Sequence, residues 1–299
     1  MTGLDKLAEL ELRQAPQRLV SLVPSLTESV FQLGAGARVV ALTDYCVQPA
    51  EGVRGRLRVG GPKNPDLKLI AAALPDLILA SREENRREDV EALRAAGFKV
   101  WVTFPTTVAE TVALLWELVR VLDVPHMTPV VDALERACEI AALAAENTPL
   151  TRVFCPIWRE PRAPEPAQWW MTFNAGTYMH DLLRLCGAEN VFGDRARRYP
   201  LAADLGAAPA EPPDPARDTR YPRVTPAEIA ARAPAVILLP SEPYPFTMAD
   251  RAALDVALAS PVDRVHTVDG SLLTWPGTRL GRALSELPAL FLPAPAAPG

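Results

Sequence analysis

The sequence has no apolar run of about 18 residues, the minimum for a helix that crosses a membrane, so we expect no membrane insertion. It also lacks an excess of basic residues: 31 lysines and arginines stand against 36 aspartates and glutamates, for a net charge of −5. Because phosphate backbones are bound by basic surfaces, this balance argues against a nucleic-acid partner. We therefore interpret the basic group at Arg195, Arg197 and Arg198 as a solvated loop.

Cysteine and histidine are scarce, with four and three residues in 299. The cysteines form no CxxC pair, and Cys138, Cys155 and Cys186 are interpreted as buried free thiols. The histidines lie far apart and lack the spacing of metal ligands, which predicts no direct metal site. Motifs of nucleophilic hydrolases, P-loop proteins and zinc proteases are missing, and the glycines at 34 and 36 stand at a helix end rather than at a dinucleotide-binding turn. These absences predict a protein that is not an enzyme.

The first 17 residues, MTGLDKLAELELRQAPQ, carry acids throughout and lack the apolar core of a signal peptide. From the sequence as written we expect a cytoplasmic protein. A true start elsewhere would instead place it in the periplasm or at the cell surface.

What the sequence does contain begins with residues 19–43, LVSLVPSLTESVFQLGAGARVVALT. A short apolar strand ends at Pro24, and Ser25 with Glu28 has the spacing of a capping box at a helix start. Gly34 is placed to end this helix, since glycine adopts the left-handed conformation freely. The turn before the helix would lie at the carboxyl edge of a parallel sheet, where α/β proteins bind ligands, so Ser25 is a candidate ligand-binding residue.

The rest of the chain alternates short apolar strands with helices, which predicts the α/β class with parallel, helix-covered sheets. A long helix follows Thr128, and the alternation then begins again. We predict an N-terminal α/β lobe over residues 17–126, a connecting helix over 127–148, a C-terminal α/β lobe over 149–292 and a disordered tail from 292 onwards.

Two segments of the first half match segments of the second half in the same order. Residues 27–40, TESVFQLGAGARVV, align with 180–193, HDLLRLCGAENVFG, in their apolar positions and in Gly-Ala after the helix. Residues 70–79, IAAALPDLIL, align with 229–238, IAARAPAVIL, proline on proline. This self-similarity indicates two lobes of like fold, with chance similarity between two αβ units as the alternative.

Aromatic residues recur beside predicted strand ends and in a proline-rich loop: Tyr45, Trp158, Trp169, Trp170, Phe173, Tyr221, Tyr244, Phe246 and Trp275. Placed at strand ends of both lobes, such side chains would line a cleft that suits a large planar or apolar ligand. Core packing is the alternative for each of them. Arg279, four residues after Trp275, could hold a carboxylate or phosphate group of such a ligand.

The chain resembles the periplasmic binding proteins of the vitamin B12 and iron-siderophore class in segments that keep the family's order. They are VSLVPSLTESVFQLGAGARVVALTDYC, VGGPKNPDLKLIAAALPDLILAS, LLRLCGAENVF, YPRVTPAEIAARAPAVILLPSEPYPF and DGSLLTWPGTRLGRAL. The similarity covers residues 17–292. It implies two similar α/β lobes joined by one long rigid helix, with the ligand cleft between the lobes. It also implies a receptor of an ABC importer, which catalyses nothing.

The resemblance carries over to the site only in part. Tyr45 matches a cleft tyrosine of the vitamin B12 receptors, and Tyr221 stands where they have a cleft tryptophan. Two other cleft tryptophan positions fall on Pro62 and Ser81. Trp158 and Trp275 could supply the aromatic surface that is missing at these two positions.

The acidic residues that dock such receptors onto the permease correspond to Lys68 and Ala227, so docking to an ABC permease is expected without its usual acids. Glu228 is adjacent to the second position.

The sequence thus predicts a non-enzymatic, monomeric protein that binds a small-molecule metal chelate, cobalamin-like first and ferric siderophore or haem second. No resident cofactor is required. It would serve as the substrate-binding component of an ABC importer or as an intracellular homologue of one. The predicted ligand-binding residues are Ser25, Tyr45, Trp158, Tyr221, Trp275 and Arg279. The alternative is a cytoplasmic enzyme or an interaction protein that has recruited the bilobal fold.

Overall fold

The structure is a computed structural model that describes residues 10, 12–146, 148–162, 168–258 and 262–292. The chain divides into two compact units, one of Met1–Arg136 with Trp275–Gly281 and the other of Ala137–Thr274 with Arg282–Gly299. The division falls inside the long helix and assigns residues 275–281 to the first unit, whereas the sequence placed them in the C-terminal lobe. Of the tail predicted to be disordered from residue 292 onwards, residues 293–299 lie outside the described residues.

The first unit is built on a five-stranded sheet with the strand order β3-β2-β1-β6-β7, in which all neighbours are parallel. Its elements are β1 (Leu19–Ser21), α1 (Pro24–Gln32), β2 (Val39–Leu42), α2 (Ala50–Val53), β3 (Leu57–Arg58), β4 (Gly60–Gly61), β5 (Asn64–Pro65), α3 (Leu67–Ala72), β6 (Leu77–Ser81), α4 (Arg87–Ala95), β7 (Val100–Thr103) and α5 (Val108–Val121).

Helices cover both faces of this sheet, which explains why its strands are apolar without interruption. In β6, Leu77 and Leu79 pack into a core with α1 and α5, whereas Ile78 and Ala80 pack into a second core with α3 and α4. Alternate residues of a strand point to opposite faces, so every residue of β6 is buried. The prediction of a parallel, helix-covered sheet is confirmed.

Local signals set several helix ends. Gly34 follows α1 with φ +78°, as predicted for the residue after a helix. Thr107 caps α5, and its side chain accepts a hydrogen bond from the backbone N–H of Glu110 at 3.1 Å. The long helix α6 (Thr128–Glu146) follows a 3₁₀ turn over Pro125–Met127. Thr128 is therefore the first helical residue of α6 rather than a cap outside it.

The second unit contains a parallel sheet of order β11-β8-β13-β14 and an antiparallel sheet of order β12-β10-β9. Its elements are β8 (Thr151–Phe154), β9 (Trp158–Glu160), β10 (Trp169–Met171), α7 (Tyr178–Leu185), β11 (Ala188–Asn190), α8 (Leu201–Asp204), β12 (Arg223–Val224), α9 (Pro226–Arg232), β13 (Val236–Pro240), α10 (Met248–Ala257), β14 (Val265–Val268), α11 (Ser271–Thr274) and α12 (Leu280–Glu286). A 3₁₀ helix over Pro288–Leu290 follows.

The topology agrees with the predicted duplication. In the first unit β1 lies between β2 and β6, and in the second β8 lies between β11 and β13. The aligned glycines, Gly34 after α1 and Gly187 after α7, both have positive φ. The aligned prolines precede β6 and β13, the strands that pair with β1 and β8.

The antiparallel sheet was not predicted, because Trp169 and Trp170 were assigned to a proline-rich loop. They lie in β10 instead. The strand is only three residues long, and it is held by pairing with β9 on one side and β12 on the other. No local sequence pattern predicts such pairing.

Candidate functional site

Ser25 lies in the first turn of α1 and is almost completely buried. The predicted capping box with Glu28 is wrong, because the helix begins one residue earlier with Pro24 at its first position and Val23 as the cap residue. Ser25 uses its backbone carbonyl to accept a hydrogen bond from Ser29 Oγ at 2.7 Å. Its part in ligand binding stays a prediction.

Tyr45 lies in the loop after β2 and is 64% exposed, which is unusual for a large aromatic side chain. The loop backbone around it is firmly held. Asp44 donates its backbone N–H to the carbonyl of Gly60 at 2.9 Å, and Arg58 donates to the carbonyls of Thr43 and Cys46 at 2.7 and 3.0 Å. The ring is therefore presented to solvent from a fixed backbone, as a contact residue for a ligand requires.

The neighbouring Cys46 anchors this loop from inside. It is fully buried, and its Sγ lies 3.0 Å from Thr27 Oγ1 and 3.1 Å from Thr43 Oγ1. Burial raises the pKa of the Cys46 thiol, although hydrogen bonds from the two threonines partly oppose this. Cys46 is thus a packing residue, whereas its neighbour Tyr45 faces outward.

Trp275 and Arg279 belong to the first unit and are both buried, Arg279 with 6% exposure. The guanidinium of Arg279 lies 4.7 Å from the ring centroid of Trp275. It also pairs with Glu28 through two bonds, Nε to Oε2 at 2.7 Å and Nη2 to Oε1 at 2.5 Å. A fork-to-fork pair of this kind balances the arginine charge inside the protein.

This pair gives Arg279 a structural partner that the sequence could not reveal, since Glu28 is 251 residues away. The use of Arg279 and Trp275 in ligand binding stays a prediction.

In the second unit, the antiparallel sheet separates its side chains onto two faces. Residues directly opposite each other in neighbouring strands share a face. One face carries Arg159, Trp170 and Val224, all fully buried.

The opposite face, which we call the tryptophan face, consists of partly exposed residues: Trp158, Glu160, Trp169, Met171 and Arg223. Two tryptophans, a methionine and an arginine on one short sheet form a surface that suits a large, mostly apolar ligand with an anionic group. Met171 and Arg223 were missed by the sequence reasoning, because only the register of the strands places them beside Trp158.

Trp158 packs against other aromatic rings. Its ring centroid lies 5.5 Å from that of Tyr244 in an edge-to-face arrangement, and Tyr244 lies 4.6 Å from Phe246. Arg162 lies over both Trp158 and Tyr244, at 5.0 and 5.9 Å from their centroids. Because Tyr244 and Phe246 are buried, they fix the orientation of the half-exposed tryptophan.

Tyr221 lies just before β12 and is half-buried, with the guanidinium of Arg220 at 5.1 Å from its centroid. Arg220 in turn donates to both oxygens of Asp218, at 3.0 and 2.6 Å. Tyr221 therefore closely precedes Arg223 in the sequence, and Arg223 belongs to the tryptophan face. Its role as a ligand residue stays a prediction.

Among the described residues, no group of three or more histidines, cysteines, aspartates or glutamates is arranged to hold a metal ion. Within the same residues, no helix has both the length and the apolar character needed to cross a membrane.

The chain is similar to known proteins in both sequence and fold. The vitamin B12-binding protein of Vibrio vulnificus strain YJ016 is 28% identical over 203 residues, which cover 67% of this chain and 71% of that protein. The solved structure of the periplasmic vitamin B12 binding protein BtuF of Vibrio cholerae matches with a TM-score of 0.71 at 19% identity, covering 92% of this chain and 96% of the other.

The apo structure of the periplasmic heme-binding protein RhuT from Roseiflexus sp. RS-1 matches equally well, with a TM-score of 0.71, 19% identity and coverage of 92% and 97%. No family model matches the sequence. At these identities the solved structures show the fold, and they confirm the predicted fold class. The resemblance to the substrate-binding proteins of the vitamin B12 and iron-siderophore class is confirmed by these relatives. Because the similar structures are named as periplasmic, the expectation of a cytoplasmic protein has no support from them.

Proposed function

We propose that this protein binds a large metal-containing cofactor or chelate without chemical conversion, with cobalamin as the first candidate and haem or a ferric siderophore as the second. The observation that carries the proposal is the match of the fold, over 92% of the chain, to periplasmic proteins named for vitamin B12 and for haem binding. The sequence similarity to a vitamin B12-binding protein supports the first candidate. The chelate is the bound ligand rather than a resident cofactor.

The importer role is part of the same proposal: the protein delivers its ligand to an ABC permease from the periplasm or the cell surface. The two positions expected to carry docking acids, Lys68 and Ala227, are exposed but not acidic. Glu228, beside the second position, is used in the capping box of α9, where its carboxylate accepts a hydrogen bond from the Thr225 backbone N–H at 3.0 Å. Docking would therefore depend on other contacts than in relatives that have both acids.

Two residues are proposed as the main ligand contacts. Tyr45 is an exposed ring on a fixed loop of the first unit, and Trp158 is a half-exposed ring held by buried aromatics in the second unit. Both can stack on the conjugated ring of a corrin or porphyrin, because planar π-systems pack well against aromatic faces. Tyr221 is a further candidate contact.

The test is a binding screen of the purified full chain with cobalamin, haem, ferrichrome and ferric enterobactin, followed by absorbance and thermal unfolding. We expect one of the four to bind with a shifted absorbance spectrum and a raised melting temperature. Absence of saturable binding by all four would overturn the proposal.

Tyr45→Ala tests the contact directly. Loss of a central aromatic contact should weaken the affinity for the identified chelate about tenfold or more. The matched control is Leu69→Ala, which truncates another exposed apolar side chain of the same unit, on α3. If Tyr45→Ala and Leu69→Ala bind equally well, Tyr45 does not contact the ligand.

A further inference from the structure

The segment that leads into β12, the strand of the tryptophan face that carries Arg223, is rich in arginine. The segment of residues 194–223 contains Arg195, Arg197, Arg198, Arg217, Arg220 and Arg223. The sequence interpretation placed the first three in a solvated loop, which is wrong for Arg195, since it is buried and pairs with the buried Asp204 at 3.0 Å. Arg217 pairs with Glu211, and Arg220 pairs with Asp218.

Arg197 and Arg223 differ from these neighbours. The Nε atoms of both, together with Nη1 of Arg223, are enclosed by protein and have no hydrogen-bond partner among the described residues. Arg223 forms a long ion pair with Asp204, in which Nη1 lies 3.7 Å from Oδ2, beyond hydrogen-bond distance. Enclosed guanidinium donors without acceptors are unfavourable, so this arrangement indicates a place for an acceptor.

Asp204 already accepts hydrogen bonds from other groups at both of its carboxylate oxygens. Oδ1 accepts the backbone N–H of Arg198 and Oδ2 that of Arg223, both at 2.9 Å, and Arg195 lies beside Oδ1. Asp218, the other acid that interacts with Arg197, has its hydrogen bonds with Arg220. The positive charges of Arg197 and Arg223 are therefore only partly balanced by the acids around them.

The charge of Arg197 acts on Arg223. Burial lowers the pKa of Arg223, the like charge of Arg197 lowers it further, and Asp204 only partly opposes these effects. An anion that accepts hydrogen bonds from both guanidinium groups would relieve this repulsion.

The location connects these two arginines with the proposed ligand contacts. Arg223 lies opposite Met171 on the tryptophan face, which places it on the same side of the sheet as Trp158, and its guanidinium is 6.0 Å from the ring centroid of Trp169. Arg197 is held in place by stacking on Tyr199 at 4.2 Å. An anion at this position would be at the edge of an aromatic surface.

We propose that Arg197 and Arg223 form an oxyanion subsite that takes a carboxylate or phosphate group at the edge of the tryptophan face. As a subsite for the chelate it rests on the proposed function, because the anionic group would then be a substituent of the bound chelate. Binding of a free oxyanion does not depend on that function.

The first experiment uses inorganic phosphate as the probe. The full chain is titrated with phosphate at constant ionic strength, with chloride as the balancing anion, and its melting temperature is followed. Arg197→Met should bind phosphate about tenfold more weakly than the wild type, since it loses charge-assisted hydrogen bonds. Arg198→Met, an exposed arginine of the same segment, is the matched control and should behave as the wild type.

Arg223→Lys is a second variant that keeps the charge opposite Asp204 and removes the forked donors. It should also weaken phosphate binding, because lysine cannot make the bidentate contact. If Arg197→Met and Arg223→Lys both respond to phosphate as the wild type does, the subsite is refuted.

The second experiment asks whether the chelate uses this subsite. Phosphate should compete with the binding of whichever of cobalamin, haem, ferrichrome or ferric enterobactin binds, and the competition should be lost in Arg197→Met. A chelate that binds without competition would show that the subsite is not part of the chelate site. Binding of phosphate without binding of any chelate would support the subsite and refute the proposed function.

Discussion

At the scale of single residues, the pair between Glu28 and Arg279 shows how a local pattern can mislead. The sequence predicts Glu28 as a capping-box residue and Arg279 as a ligand-binding arginine. In the structure, the two side chains instead form an ion pair with each other in the interior of the first unit. No sequence signal joins residues 251 positions apart. Because both side chains are buried, removing either one alone would leave the charge of the other unbalanced in the interior.

Replacing Glu28 by glutamine should lower the free energy of unfolding by about 3–5 kcal/mol, because removing one partner leaves the other charge in a buried place. Urea unfolding of the full chain measures this. The double variant Glu28→Gln with Arg279→Met should recover much of the loss, since both charges are then gone. Glu286→Gln, which removes the partner of Arg282 in an exposed pair, is the control and should change stability little. Equal midpoints for Glu28→Gln and Glu286→Gln would contradict the prediction.

His180 provides a second prediction at this scale. Its side chain is buried in α7, and a Cβ on the neighbouring Gly193 would lie 2.5 Å from His180 Cε1. Burial lowers the pKa of His180, with a smaller contribution from the charge of Arg184. Between this lowered pKa and the ordinary value of about 6.5, the unfolded chain binds more protons than the folded one, so stability rises with pH there and falls on acidification.

We therefore expect the free energy of unfolding to fall as the pH is lowered below about 6.5. The variant His180→Gln should show a flatter dependence over the same range. His266→Gln is the comparison, because burial also lowers the pKa of His266 but its side chain is more exposed. Identical pH profiles for the wild type and His180→Gln would exclude His180 as a source of acid sensitivity.

At the scale of elements, the start of α10 links helix formation to the aromatic cluster. Asp250 forms a capping box with Thr247, accepting its backbone N–H at 2.8 Å. The same buried carboxylate faces Arg159 Nη1 at 3.0 Å and accepts a hydrogen bond from the hydroxyl of Tyr244 at 3.3 Å. One side chain thus caps a helix, balances a buried arginine and holds the ring on which Trp158 rests.

Asp250→Asn should lower the free energy of unfolding by about 3–5 kcal/mol, because it removes the charge that balances the buried Arg159. It should also change the near-ultraviolet circular dichroism, since the packing of Tyr244 against Trp158 depends on the same carboxylate. Asp255→Asn removes an acid from the exposed part of the same helix and is the control. The prediction fails if both variants keep the unfolding midpoint and spectrum of the wild type.

The elements also differ in how well the sequence predicts them. The order of strands and helices in the two parallel sheets, the left-handed residue Gly34 and the cap at Thr107 follow from local composition and spacing, because each depends on a few neighbouring residues. The tryptophan face does not follow, since β9, β10 and β12 are two or three residues long and show no readable alternation. Tyr45 and Trp158 are candidates that the sequence itself suggests and their role stays a prediction, whereas only strand register places Met171 and Arg223 beside Trp158.

At the scale of the whole molecule, the duplicated architecture gives each unit its own core and its own buried thiols. Cys46 lies in the first unit, and Cys138, Cys155 and Cys186 lie in the second. All four are buried and none of them is in a disulfide. Burial raises the pKa of Cys186 to about 12, and it also raises the pKa of Cys46 and of Cys155. At neutral pH Cys46, Cys155 and Cys186 are therefore thiols rather than the thiolates that react with disulfide reagents.

The folded protein should therefore react very slowly with an aromatic disulfide reagent such as dithionitrobenzoate, whereas the unfolded chain in guanidinium should release four equivalents of the coloured thiolate. Because reaction requires opening of the unit that holds each thiol, the slow rate measures that opening. The variant Cys46→Ser leaves only thiols of the second unit and separates the two contributions. Rapid release of even one equivalent from the folded protein would contradict the burial of these thiols. If the wild type and Cys46→Ser react at the same single rate, the two units open together.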